Sequence, residues 1–175
     1  MKKKINFGII GCGLMGREFA SAAARWCHLK TELPAPRIIG VCDVNPDMTK
    51  WFSDNFSGIE YITNDYKELL QNPEIEAVYC AVPHNLQESI YIDIIKAGKH
   101  LLGEKPFGID KKANRSILAE IKKRPDIVVR CSSEFPFYPG ARLVYNWIEQ
   151  NKFGRILEVK AGFNHSSDMD ITKKI

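Results

Sequence analysis

Short apolar runs alternate with longer segments in which apolar residues recur at helical spacing along most of the chain. The runs at 5–10, 37–42, 60–63, 76–82, 99–102 and 127–131 are compact and rich in Ile and Val, and predict six strands. Between them, 14–28, 46–56, 66–71, 86–97 and 109–123 predict helices. Punctuation supports these bounds. Asn45-Pro46-Asp47 reads as a helix start, Asn64 or Asp65 and then Asp110 as further caps, and Gly58 and Gly98 as stops. A sixth helix-like segment covers 138–150, and 155–163 alternates apolar and polar residues like a half-exposed antiparallel strand.

Buried strands separated by helices predict an α/β fold with a parallel sheet covered on both faces. The right-handedness of such crossovers favours the doubly wound, Rossmann-type arrangement. The change of pattern after Gly154 predicts that residues 1–136 form this domain. Residues 137–175 are then expected to hold a connecting helix and the first strand of a second α/β domain.

A chain of 175 residues, 45% apolar and 26% charged, can bury one core with sequence to spare. The net charge of +4 comes largely from Lys2, Lys3 and Lys4 and from Lys173 and Lys174. Without aromatics interleaved among the basic residues, nucleic-acid binding is not expected. No apolar run is long enough for a bilayer. Cys12, Cys27, Cys42, Cys80 and Cys131 are odd in number and form no CxxC pair, which points to reduced thiols and a cytoplasmic setting. The lysines, apolar run and Gly11-Cys12 mimic an export signal, but the run is short and broken by Asn6 and Gly8.

The first chemical signal is Gly11-Cys12-Gly13-Leu14-Met15-Gly16, between a predicted strand and a predicted helix. Gly11 permits the tight turn, Gly13 lets a pyrophosphate approach the backbone, and Gly16 lets the helix pack against the strand. Asp43, at the end of the second strand, is placed to accept hydrogen bonds from a ribose. Its charge would repel a 2′-phosphate, which favours NAD over NADP. Asp43 could also serve only the turn into Asn45-Pro46, and a glycine turn with an acid could equally serve a methyl donor such as S-adenosylmethionine.

Two strand ends carry the second signal, since open parallel sheets bind ligands at their carboxyl edge. After the fourth strand, Val82-Pro83-His84 and Gln87 are expected on the cofactor side. After the fifth strand comes Gly103-Glu104-Lys105-Pro106. Pro106 biases Lys105 toward an extended backbone, and so tends to fix the direction of its side chain. An ammonium in a cleft can hydrogen-bond a hydroxyl or exchange a proton with a reacting oxygen. The bland alternative is a surface lysine paired with Glu104. Histidines and cysteines show no metal-ligand spacing.

The ordered set of the glycine turn, Asp43, Ala81-Val82-Pro83-His84, Ala97-Gly98-Lys99-His100 and Glu104-Lys105-Pro106 resembles the glucose–fructose oxidoreductase / inositol dehydrogenase / rhizopine catabolism (Gfo/Idh/MocA) family. The resemblance implies a dinucleotide-binding domain followed by a domain that supplies substrate contacts and often an oligomer interface. It implies hydride transfer at a carbinol carbon of a sugar, cyclitol or related small molecule. Lys105 matches the active-site lysine, Glu104 its neighbour, and Asp43 the acid that selects NAD. Gln87 stands where many members have histidine, and Pro136 about where arginine is frequent. The resemblance also implies that this chain carries only the start of the second domain. His165, Asp168 and Asp170 do not reproduce that domain's Asp…His pair. The isolated chain is therefore expected to bind NAD and turn over poorly, and the alternative is a nucleotide-binding module without catalysis. An unpaired strand at 155–163 is expected to drive self-association or to be disordered.

Overall fold

The computed structural model describes residues 3–28, 30 and 32–162. Six strands run in parallel: β1 (Lys4–Ile10), β2 (Ala35–Cys42), β3 (Tyr61–Thr63), β4 (Ala77–Cys80), β5 (His100–Glu104) and β6 (Val129–Ser132). Their order is β3-β2-β1-β4-β5-β6, the doubly wound Rossmann-type sheet, which reverses direction between β1 and β4. The connecting helices are α1 (Leu14–Ala24), α2 (Pro46–Asn55), α3 (Tyr66–Gln71), α4 (His84–Lys96) and α5 (Lys111–Ile121).

The alternation of side chains along each strand divides the core in two. Ile9 of β1 and Tyr79 of β4 pack with Ala20 of α1 and Phe52 of α2. Ile10, Val78 and Cys80, one residue out of phase, pack with Leu69 and Leu70 of α3, Ile90, Tyr91 and Ile94 of α4, and Ile117 of α5. Both faces of the central strands are therefore covered, which explains their uninterrupted apolar sequences.

The helix starts obey the expected capping chemistry at three places. Asn45 Oδ1 accepts from the Asp47 N–H at 3.0 Å, Asp65 Oδ1 from Lys67 at 2.8 Å, and Asp110 Oδ1 from Ala113 at 2.8 Å. α1 and α4 begin without a side-chain cap and without an acid in the first turn.

The chain divides into two compact units, Met1–Ser133 and Glu134–Ile175. The second contains a 3-10 turn (Phe135–Phe137) and helix α6 (Pro139–Glu149). Two expectations need correction. The first helix ends at Ala24 and continues as a 3-10 turn, Arg25–His28, rather than as α-helix. The strand expected at 155–163 is not formed over 155–162, because none of the described residues offers it a ladder. Position 163 lies outside the described residues, as do His165, Asp168, Asp170, Lys173, Lys174 and Lys2.

Candidate functional site

Strand register lines up the residues that precede each functional segment. Cys42 pairs with Ile10, Ile10 with Cys80, and Cys80 with Gly103. The next residues along the four strands are Asp43, Gly11, Ala81 and Glu104. Asp43, the glycine turn, Val82-Pro83-His84 and Lys105 therefore follow one another along a single carboxyl edge. At about 4.8 Å per strand spacing, the row is about 14 Å long.

The glycine turn shows why each glycine is needed. Gly11 has φ +94°, and a Cβ there would meet the Ala81 carbonyl oxygen at 2.3 Å. A Cβ on Gly16 would meet the Gly11 carbonyl oxygen at 2.3 Å. Gly13 is different: a Cβ there would meet nothing within 4 Å, so this face of the turn opens outward. The Gly11 N–H donates to Cys42 O at 2.9 Å, and Ala81 N–H to Ile10 O at 2.8 Å, fixing the turn between β2 and β4. The uncapped start of α1 then leaves backbone N–H groups and the positive end of a helix dipole beside that opening. An anionic diphosphate fits this cradle on both counts. Leu14 and Met15 are 64% and 41% exposed and border it.

Asp43 is half-buried, and its carboxylate already has two backbone partners. Oδ2 accepts from the Cys12 N–H at 2.7 Å and Oδ1 from the Asn45 N–H at 2.9 Å. It thus both holds the glycine turn and serves the start of α2, and the two sequence readings of Asp43 coexist. Beside it lies an open cleft of about 360 Å³, lined also by Thr63, Asn64 and Glu68. Thr63 Oγ1 donates to Glu68 Oε2 at 2.6 Å. This second carboxylate was not singled out by the sequence.

Two thiols lie under the turn. Burial, with the Asp43 charge adding to it, pushes Cys12 and Cys42 up to about 12. Cys12 Sγ donates to Cys42 O at 3.6 Å. Neutral thiols of this kind put no negative charge beneath a bound anion.

The segment after β5 is pinned from below. Glu104 is 6% exposed, so it is not the surface partner of Lys105. Its Oε1 accepts from the Tyr79 hydroxyl at 2.8 Å, and its Oε2 from the Lys105 N–H at 3.2 Å. A hydrogen bond from Ser132 reaches Tyr79 in turn, and burial with the Glu104 charge drives the Tyr79 phenol well above its ordinary range. Gln87 is 0% exposed, and its amide meets Glu104 O, Lys105 O and the Gly108 N–H. The Lys105–Pro106 peptide is cis, and the Lys105 side chain is exposed.

Gln87, expected on the cofactor side, and Glu104, expected beside the active-site lysine, are both buried. Both side chains point inward, and their polar groups are engaged by the loop and by Tyr79. His84 and Pro83 are exposed and Val82 half-buried at the start of α4. Tyr79 and Tyr91 were missed, since apolar periodicity reads them as core. One signal was available for Tyr91: Gly103 lacks a side chain because a Cβ there would meet the Tyr91 ring at 2.7 Å. Among the described residues, no group of three or more His, Cys, Asp or Glu could hold a metal ion. No described helix is long and apolar enough to cross a membrane.

Residues 5–131 match the model of an oxidoreductase family with an NAD-binding Rossmann fold. Levoglucosan dehydrogenase of Pseudarthrobacter phenanthrenivorans is 28% identical over 92% of this chain and 41% of that protein. A dTDP-3,4-didehydro-2,6-dideoxy-alpha-D-glucose 3-reductase of Actinomadura kijaniata is 26% identical over 91% of this chain and 45% of its own. Among solved structures, levoglucosan dehydrogenase in complex with NADH and levoglucosan superposes with a TM-score of 0.79 at 28% identity, covering 89% of this chain and 42% of that one. Scyllo-inositol dehydrogenase of Lactobacillus casei shares the fold, with a TM-score of 0.74 at 24% identity over 87% of this chain and 43% of that one. The chain spans less than half the length of these relatives.

Proposed function

Because the chain belongs to the Gfo/Idh/MocA oxidoreductase family, we propose that it forms the coenzyme-binding part of an NAD-dependent dehydrogenase or reductase acting on a sugar, cyclitol or related polyol. When bound, the nicotinamide supplies or accepts the hydride that interconverts a secondary alcohol and its ketone. Membership of this family sets aside the methyl-transfer alternative.

The roles of this chain's residues follow from the carboxyl edge. Gly11, Gly13 and Gly16 with the start of α1 hold the diphosphate, bordered by Leu14 and Met15. Asp43 receives the ribose hydroxyls; together with Glu68 it keeps a 2′-phosphate out by charge, which favours NAD over NADP. Val82, Pro83 and His84 border the cofactor beyond the turn. Lys105 holds the reacting oxygen by a hydrogen bond from Nζ and exchanges a proton with it. Glu104 and Gln87 support that lysine from below. The observation that carries this reading is the register that puts Asp43, the glycine turn and exposed Lys105 on one edge, in that order.

Three further assignments are proposals of the same kind. Residues 137–175 form a connecting helix and the beginning of a substrate domain, a reading supported by the unit boundary at Ser133/Glu134. Free thiols at Cys12, Cys42, Cys80 and Cys131 support a cytoplasmic setting. Exposed apolar side chains on α6, including Leu143, Val144 and Ile148, support assembly into an oligomer.

Calorimetry with NAD(H) and NADP(H) tests the binding step; a folded chain that binds neither overturns the reading. A screen of levoglucosan, inositols and related sugars with NAD tests the reaction, on this chain and on one joined to a substrate domain. Coenzyme binding without turnover in both would favour a non-catalytic module. Asp43→Ala is expected to reduce the preference for NAD over NADP, and unchanged discrimination would remove Asp43 from the site.

A further inference from the structure

Gln87 occupies a position on α4 where the helix faces the core, in line with the buried, apolar Ile90 and Ile94. A buried amide is costly unless its donors and acceptor are met, and a leucine or methionine would fill the same space without that demand. Every partner of this amide lies on one short segment. Nε2 donates to Glu104 O at 3.2 Å and to Lys105 O at 3.4 Å, and Oε1 accepts from the Gly108 N–H at 2.8 Å. The Tyr91 hydroxyl, one turn further along α4, donates to Glu104 O at 3.0 Å. From the other side, Glu104 Oε2 accepts the Lys105 N–H. Both backbone polar groups of Lys105 are thus held from within, while its side chain is exposed.

The geometry points to Gln87 as the positioning residue for Lys105: it clamps residues 104–108 at both ends, so that the ammonium is presented at the sheet edge, and it touches neither coenzyme nor substrate. The inference rests on the reading of Lys105 given under Proposed function. Its physical basis is orientation. A displacement of about 1 Å at a reacting group can cost ~10²-fold in rate, and a flexible lysine has little orientation of its own beyond what its backbone supplies.

The test maps acylation of Lys105 by an amine-reactive reagent, with and without NADH, by mass spectrometry of the folded chain. Lys50 and Lys67, exposed on α2 and α3, serve as internal controls. NADH is expected to shield Lys105 in the unaltered chain. Gln87→Met should retain the fold and the NADH affinity, which the glycine turn supplies, while shielding falls roughly tenfold. Gln87→His, which can again donate and accept, should restore it. If NADH does not shield Lys105 in the unaltered chain, the reading of Lys105 falls and takes this role with it. If shielding is present and persists undiminished in folded Gln87→Met, the role of Gln87 alone is overturned. A folded Gln87→His that loses shielding as fully as the methionine variant also overturns it. Should Gln87→Met not fold, Gln87→Glu replaces it, since a carboxylate keeps the acceptor for Gly108 and repels the carbonyls of residues 104 and 105. If neither folds, Gln87 is a core residue only and the positioning role is wrong.

Discussion

Gly11 and Gly13 are two positions apart and do unlike work. Gly11 is required by the chain itself, through φ +94° and the Ala81 carbonyl at 2.3 Å from a would-be Cβ. Gly11→Ala should therefore destabilise the fold by about 1–3 kcal/mol from backbone strain alone, read as a lower thermal midpoint. Gly13 faces open space, so Gly13→Val should leave that midpoint nearly unchanged and abolish NADH binding; equal melting losses in the two variants would contradict this division. The thiols give a pH dependence. Cys12 and Cys42 rise from 9.0 to about 12, chiefly through burial. With the folded value above the unfolded one, their contribution to stability is complete below about pH 9 and is lost as pH climbs toward 12. Urea titrations across that range should show a falling midpoint, and Cys12→Ala should reduce the slope. The tight turn at Gly11 and the place of Asp43 at a strand end were legible in the sequence because each belongs to a short, recognisable strand–turn–helix pattern. The inward direction of Glu104 was not, because apolar periodicity marks Tyr79 only as core and gives no sign of where its hydroxyl finds a partner.

Among the elements, the helix starts divide by what they face. α2, α3 and α5 are capped by Asn45, Asp65 and Asp110, whereas α1 and α4 have no side-chain cap. Asp110→Ala should cost about 1 kcal/mol, the ordinary value of an N-cap, with no effect on NADH affinity. Met15→Glu is the converse case, because it puts a carboxylate in the first turn of α1. It should stabilise the helix by about 0.3–1 kcal/mol through the macrodipole and weaken NADH binding by occupying the same field. Chemical denaturation and calorimetry on the two variants check both arms. The capping residues could be read directly from sequence, since a cap is local. The absent strand at 155–162 could not, since alternation gives only the potential to pair and a strand exists only beside another.

For the molecule as a whole, the core of Met1–Ser133 is built from both faces of the sheet, while no described residue of 134–162 is buried. Limited proteolysis should therefore cut first beyond Ser133 and leave a resistant fragment that retains NADH binding. Cleavage inside β1–β6 at comparable rates would contradict the unit boundary. The exposed apolar residues of α6 are expected to make light scattering concentration-dependent, with Ile148→Lys reducing the effect.

The sequence by itself determined the order of strands and helices, the glycine turn and the caps, because each is encoded in residues within a turn or two of one another. Tertiary structure alone decided which strand ends became neighbours. It also buried Glu104 and Gln87 and left Lys105 exposed. Those outcomes depend on contacts between residues far apart in sequence, where burial forces each polar group to find a partner, and periodicity along one chain cannot say which partner that will be.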